Sequence, residues 1–108
     1  MEKFNLSKYI PEISKAVSRI GVGTHQFSGG WGKNFSQKEV NSILSECEHN
    51  GINHIDTAGS YGNHKSEKFI GNYIESINRD KWVISSKFGY YYDDNKKIRD
   101  FSTNSVKK

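Results

Sequence analysis

The chain has one cysteine, one proline and one methionine among its 108 residues, and no apolar run approaches the length needed to cross a bilayer. Cys47 alone cannot close an internal disulfide, which points to a reducing compartment, the cytoplasm. The opening MEKFNLSKYI has no apolar centre of the kind a secretory leader needs, and nothing addresses the chain to a membrane. Charge of one sign is scarce too. Sixteen basic and twelve acidic side chains leave +4, and Lys96, Lys97, Arg99, Lys107 and Lys108 crowd much of the basic charge into the last stretch. So local an excess gives little support for a nucleic-acid partner. Repeats of solenoid length and low-complexity tracts are absent. Hydrophobic residues make up only 33% of the chain, yet they fall in periodic blocks, so it reads as one folded domain.

Residues 1–18 are polar, carry Pro11 and show no clean period, so they read as a lead-in segment. The next stretch, VSRIGVGTHQ, alternates well enough for a strand and leads into a flexible loop, FSGGWGKN. Ser36 and Glu39 match a capping box, and Val40, Ile43, Leu44 and Cys47 follow at helical spacing, with Gly51 at the helix exit. INHIDTA is a second strand, Phe69, Ile70, Tyr73, Ile74 and Ile77 mark one face of a second helix, and KWVISSK is a third strand. A polar, tyrosine-rich loop follows Phe88, and Ser102 suits the N-cap of a third helix beginning in DFSTNSVKK. The order β-α-β-α-β predicts a parallel sheet with right-handed crossovers and both helices on one face. Such a sheet has open edges, which invite self-association.

In parallel α/β folds, polar groups that work on ligands gather at the carboxyl ends of the strands. Asp56 ends the second strand, Tyr61 lies in the loop behind it and Lys87 ends the third strand. Each alone is an ordinary surface ion pair or loop tyrosine; their shared location is what makes them a site. An ammonium beside a phenol favours the phenolate, and a carboxylate holds that ammonium charged. The three together form a proton donor suited to a carbonyl oxygen that gains negative charge as a hydride reaches carbon.

Other signals fall short. His25, His49, His54 and His64 do not give the paired spacings of a structural zinc site, so no metal is expected, and His54, two residues before Asp56, shares its sheet face. GGWGKN fails the phosphate-loop pattern, and GVGTHQ fails the dinucleotide fingerprint because Gln26 stands where the third glycine belongs. Tyr90, Tyr91 and Tyr92 beside Lys96 and Lys97 could stack single-stranded nucleic acid, but a loop near a substrate mouth is preferred.

The segments RIGVGTHQF, GINHIDTAGSYGNHKSEKFIG, VISSKFG and RDFSTNSVKK, in this order and spacing, resemble the N-terminal part of the aldo-keto reductase family. The resemblance runs from Arg19 to Lys108. It implies the N-terminal β-α-β-α-β portion of a (β/α)8 barrel, incomplete in this chain, and NADPH-dependent reduction of aldehydes or ketones. Under it, Tyr61 would be the general acid, Lys87 would make that proton easier to give, and Asp56 would pair with Lys87 near the nicotinamide ribose. Gly23 and Thr24 would lie against the NADP(H) nicotinamide, and His25 and Trp31 would line the pocket for a small carbonyl substrate. His25 stands where many relatives carry a tryptophan. The family's later histidine and its grip on the adenosine phosphate have no counterpart before Lys108, so a segment inactive by itself is expected, or else a non-catalytic truncated remnant or interaction module of the same origin.

Overall fold

The computed structural model describes residues 6–106. Where the polar start suggests an unstructured lead-in, the chain forms an antiparallel hairpin. Strand β1 (Ser7–Ile10) pairs with β2 (Lys15–Ser18) in the register Ser7↔Ser18 to Ile10↔Lys15. Pro11 opens the 3-10 turn between them, and Ser14 closes it in the left-handed region at φ 53°. Proline presets the turn and costs the ladder no donor. Mostly exposed on both faces, the strands show no apolar alternation, and this is why periodicity misses them.

The central sheet has three parallel strands in the order β3 (Val22–Gly23), β4 (His54–Asp56), β5 (Val83–Ser85). Each is shorter than its sequence block. The first block gives Val17 and Ser18 to β2 and only Val22 and Gly23 to the central sheet, because at Thr24 the chain turns into a 3-10 segment, His25–Ser28. Thr24 secures that exit: its backbone N–H and its hydroxyl both donate to the Asp56 carbonyl, at 3.1 and 3.0 Å.

Helix α1 (Gln37–His49) starts at the expected capping box, with Ser36 accepting from the Glu39 N–H and Glu39 accepting from the Ser36 N–H. Helix α2 (Lys65–Glu75) follows β4. Val40 and Leu44 from α1 and Ile70 and Tyr73 from α2 form one cluster with Ile55 and Trp82, all six nearly or wholly removed from water. Burying side chains of this size contributes about 1.5–3 kcal/mol each, so this cluster is the main favourable term holding helices to sheet. Since Ile55 of β4 belongs to one buried cluster with residues of both helices, both lie on one face of the sheet, as the crossover argument requires. Period-2 alternation turns its neighbours His54 and Asp56 to the other face, where both stay partly exposed. Ile77 lies past the end of α2 but still packs on the core.

Asn53 ties the terminal hairpin to the sheet. Its side-chain oxygen accepts from the Ser18 N–H at 2.7 Å, its amide donates to the Ala16 carbonyl at 2.9 Å, and its own N–H donates to Ser18 Oγ at 3.0 Å.

The stretch after Phe88 is a hairpin and not a loop. Strand β6 (Tyr90–Asp93) pairs with β7 (Lys96–Arg99), joined by Asp94 and Asn95, both in the left-handed region at φ 47° and 63°. Two such residues in succession make the tight turn that matches strand twist. Gly89 opens the hairpin at φ 108°, and a Cβ there would overlap the Phe101 ring. Helix α3 (Thr103–Val106) begins after Ser102 as expected; Lys107 and Lys108, like the first five residues of the lead-in, lie outside the described residues.

Candidate functional site

The three candidate residues converge. Lys87, two residues beyond β5, places Nζ 3.0 Å from Asp56 Oδ1, 3.2 Å from the Tyr61 hydroxyl and 2.9 Å from the Thr57 carbonyl. The ladder brings them together: Asp56 pairs with Ser85, so strand β5 delivers Lys87 alongside the end of β4. Tyr61 reaches the same point because the loop behind β4 turns back on itself, through Tyr61 N–H to Ala58 O at 3.2 Å and His64 N–H to Gly59 O at 2.7 Å.

Lys87 and Asp56 side chains are 51% and 49% exposed. An ion pair so open to solvent stabilises a fold by about 0–1 kcal/mol, too little to explain its being assembled for stability. Partial burial disfavours the Lys87 charge, but hydrogen bonds to Asp56 and Tyr61, together with their charges, outweigh it and hold its pKa above the ordinary lysine value. At neutral pH the site therefore presents a fixed ammonium against the phenol oxygen.

A cleft of about 250 Å³ opens beside this cluster, lined by Gly23, Thr24, His25, Trp31, Asp56 and Tyr61. The His25 ring stacks on Tyr61, with centroids 4.5 Å apart and planes 20° from parallel, and the Trp31 ring meets His25 edge-on at 5.7 Å. Gly23 leaves open space where a side chain would stand, with nothing within 4 Å of a Cβ built there. Thr24 is fully buried and its hydroxyl is already committed to Asp56. Its part in the cleft is to hold the backbone after β3 in place.

Sequence reasoning missed Ser66. It is fully buried, and its hydroxyl donates to the Thr24 carbonyl at 2.8 Å, fastening the start of α2 to the end of β3. The signal was present: Ser66, Ile70 and Tyr73 stand at i, i+4 and i+7, which puts a hydroxyl on the buried stripe. His54 bonds Ser85 Oγ at 2.9 Å on the sheet face it shares with Asp56. Among the described residues, no group of three or more His, Cys, Asp or Glu side chains could hold a metal ion, and no helix is long and apolar enough to cross a membrane.

A parallel α/β sheet with charged and phenolic groups converging at its carboxyl edge has the architecture of a barrel-mouth active site. Comparison with known proteins agrees. The model of the Aldo/keto reductase family matches residues 19–108, and the chain belongs to that family. It is 36% identical over 87 residues to the aryl-alcohol dehydrogenase [NADP(+)] of Phanerodontia chrysosporium, covering 76% of this chain and 23% of that protein. It is 30% identical over 79 residues to the NADH-specific methylglyoxal reductase of Escherichia coli, covering 71% of this chain and 24% of that one. The crystal structure of PA4992 from Pseudomonas aeruginosa, assigned to the aldo-keto reductases, superposes with a TM-score of 0.79 at 32% identity, over 95% of this chain and 38% of that one. The chain thus spans under a quarter of the length of these two curated relatives, and its open sheet is the N-terminal β-α-β-α-β portion of a (β/α)8 barrel.

Proposed function

We propose that this chain supplies the proton-donating half of an NADP(H)-dependent reductase that converts small aldehydes or ketones to alcohols. The observation that carries the reading is the single ammonium, Lys87 Nζ, held at once by Asp56 at 3.0 Å and the Tyr61 hydroxyl at 3.2 Å at the edge of an open cleft. The nicotinamide end of a cofactor fits the residues present, since Gly23 leaves a flat, open stretch of backbone beside Asp56. When bound, that cofactor supplies the hydride.

The chain's own part is proton chemistry. The Tyr61 hydroxyl donates to a carbonyl oxygen as negative charge builds there, and the Lys87 ammonium stabilises the phenolate left behind. Asp56 keeps that ammonium charged and aimed. His25 and Trp31 form an aromatic wall against which the substrate's carbonyl carbon is set. The preference for NADP(H) is supported by the name of the aryl-alcohol dehydrogenase, while the methylglyoxal reductase is named for NADH, so both cofactors belong in the test. A cytoplasmic setting fits Cys47, a lone free cysteine that cannot form an internal disulfide.

The test is Tyr61→Phe in the protein that carries this segment, assayed with NADPH and NADH against a panel of aldehydes. Turnover should fall by about 10²–10⁴, the usual worth of a positioned proton donor, with cofactor affinity nearly unchanged. Wild-type turnover in the variant would end the assignment. The 108-residue chain alone should bind NADPH weakly and turn nothing over, because a half-exposed site cannot hold two reactants in line. The outer edges of β3 and β5 bond no further strand among the described residues, so this chain should also self-associate.

A further inference from the structure

The Tyr61–Lys87 distance is set by two flexible supports, a loop and a long side chain, and one further group spans them. Glu67, in the first turn of α2, has both carboxylate oxygens engaged. Oε2 lies 2.8 Å from His64 Nδ1, and Oε1 accepts from the Ser86 hydroxyl at 2.8 Å. Ser86 immediately precedes Lys87; His64 closes the loop that carries Tyr61. Glu67 therefore grips, from one helical turn, the segments that bear the proton donor and its ammonium partner.

The His64 side of this grip holds an unusual piece of backbone. Gly62, Asn63 and His64 all have positive φ, at 67°, 51° and 70°. For two side-chain-bearing residues in succession this is a costly conformation, and it persists only where other contacts impose it. The imidazole–carboxylate contact is one of them. Gly59 leaves room for it, since a Cβ there would come within 3.0 Å of the His64 ring. The His64 N–H to Gly59 O bond at 2.7 Å and the Ser66 N–H to Tyr61 O bond at 3.2 Å complete the fold-back that places the Tyr61 backbone.

We propose that Glu67 is a positioning residue for the candidate site: through His64 and Ser86 it fixes the separation of Tyr61 and Lys87. It touches neither substrate nor cofactor in this role. The proposal rests on the reading of Tyr61 and Lys87 given above, but its test is read without turnover, so an inactive chain leaves the outcome intact.

The experiment follows the Lys87 ammonium by NMR titration in the protein that carries this segment, prepared with labelled lysine and with the resonance assigned by Lys87→Met. Glu67→Ala and Ser86→Ala should each lower the Lys87 pKa towards the ordinary lysine value, because the phenol no longer sits within hydrogen-bonding reach. Glu67→Gln, whose Oε1 can still accept from the Ser86 hydroxyl while its Nε2–H donates to an unprotonated His64 Nδ1, should retain most of the elevation. These variants separate positioning from simple charge: Ser86→Ala removes a bond and no charge, whereas Glu67→Gln removes the charge and keeps the bonds. In a Tyr61→Phe background, Ser86→Ala should have no further effect. Ser86 is exposed, so its loss leaves the fold intact, which amide spectra would verify. The proposal is overturned if Ser86→Ala leaves Lys87 unmoved, if Glu67→Gln lowers it as far as Glu67→Ala does, or if Ser86→Ala acts equally without Tyr61.

Discussion

Replacing Ser66 by alanine removes one oxygen from a fully buried position and leaves no cavity of consequence, so the change isolates the hydrogen bond to the Thr24 carbonyl. That carbonyl also accepts from the Phe27 N–H at 3.1 Å, so it keeps a partner in the variant. The full penalty of an orphaned buried acceptor, about 1–3 kcal/mol, therefore does not apply, and the net worth of a neutral hydrogen bond, about 0.5–1.5 kcal/mol, does. With a urea slope of about 1–1.5 kcal/mol per molar for a chain this small, a loss of about 1 kcal/mol moves the unfolding midpoint down by roughly 0.7–1 M. Urea titration followed by Trp82 fluorescence, within the same core, measures it. An unmoved midpoint would show that the bond contributes nothing. A loss above about 3 kcal/mol would refute the assignment of Phe27 as the second donor.

Gly89→Ala should be costly in a different way, since φ 108° is closed to alanine and its methyl group would overlap the Phe101 ring; faster exchange of the Asp100 amide, which bonds the Gly89 carbonyl at 2.7 Å, reports the loosened hairpin, and an unchanged rate would contradict the clash. Tyr73 titrates above an ordinary phenol: burial first, then the hydrogen bond and charge of Glu48, push its pKa up to about 12. Because the folded value is raised, the stability it contributes is whole below the unfolded value of about 10 and is lost as pH climbs through the folded one. Tyr73→Phe should lack that loss, so the stability gap between wild type and variant should change between about pH 9 and about pH 12, and a constant gap would count against the buried phenol–carboxylate bond.

Local chemistry was the legible part. Ser36 and Glu39 announce the start of α1 because capping needs only neighbours, and the run from Ile52 to Gly71 announces the strand end, the Tyr61 loop and α2 because its residue types are rare in that order. The β1–β2 hairpin stayed hidden since Lys8, Tyr9 and Ala16 all face water and leave no period to read. The tyrosine-rich hairpin carried a signal that composition masked: Asp94–Asn95 are residues that tolerate positive φ, set between two runs of four. At the site, Asp56, Tyr61 and Lys87 were legible together, but His25 stacking on Tyr61 and Glu67 gripping Ser86 depend on which loops fold back, and that is decided by contacts between residues distant in sequence.

The bonds made by Asn53 also set an order of events in folding. Strands β1 and β2 can meet across a short turn in microseconds, whereas docking them on the sheet closes separations of 35 and 37 residues, an entropy loss of about 3 kcal/mol for loops of that length. Its recovery rests on α1 and β4 being in place to receive those bonds. We expect the hairpin to be fastened late and to come away early, held by the Asn53 amide and backbone N–H and by the Lys15 ammonium on the Asp80 carbonyl at 3.1 Å.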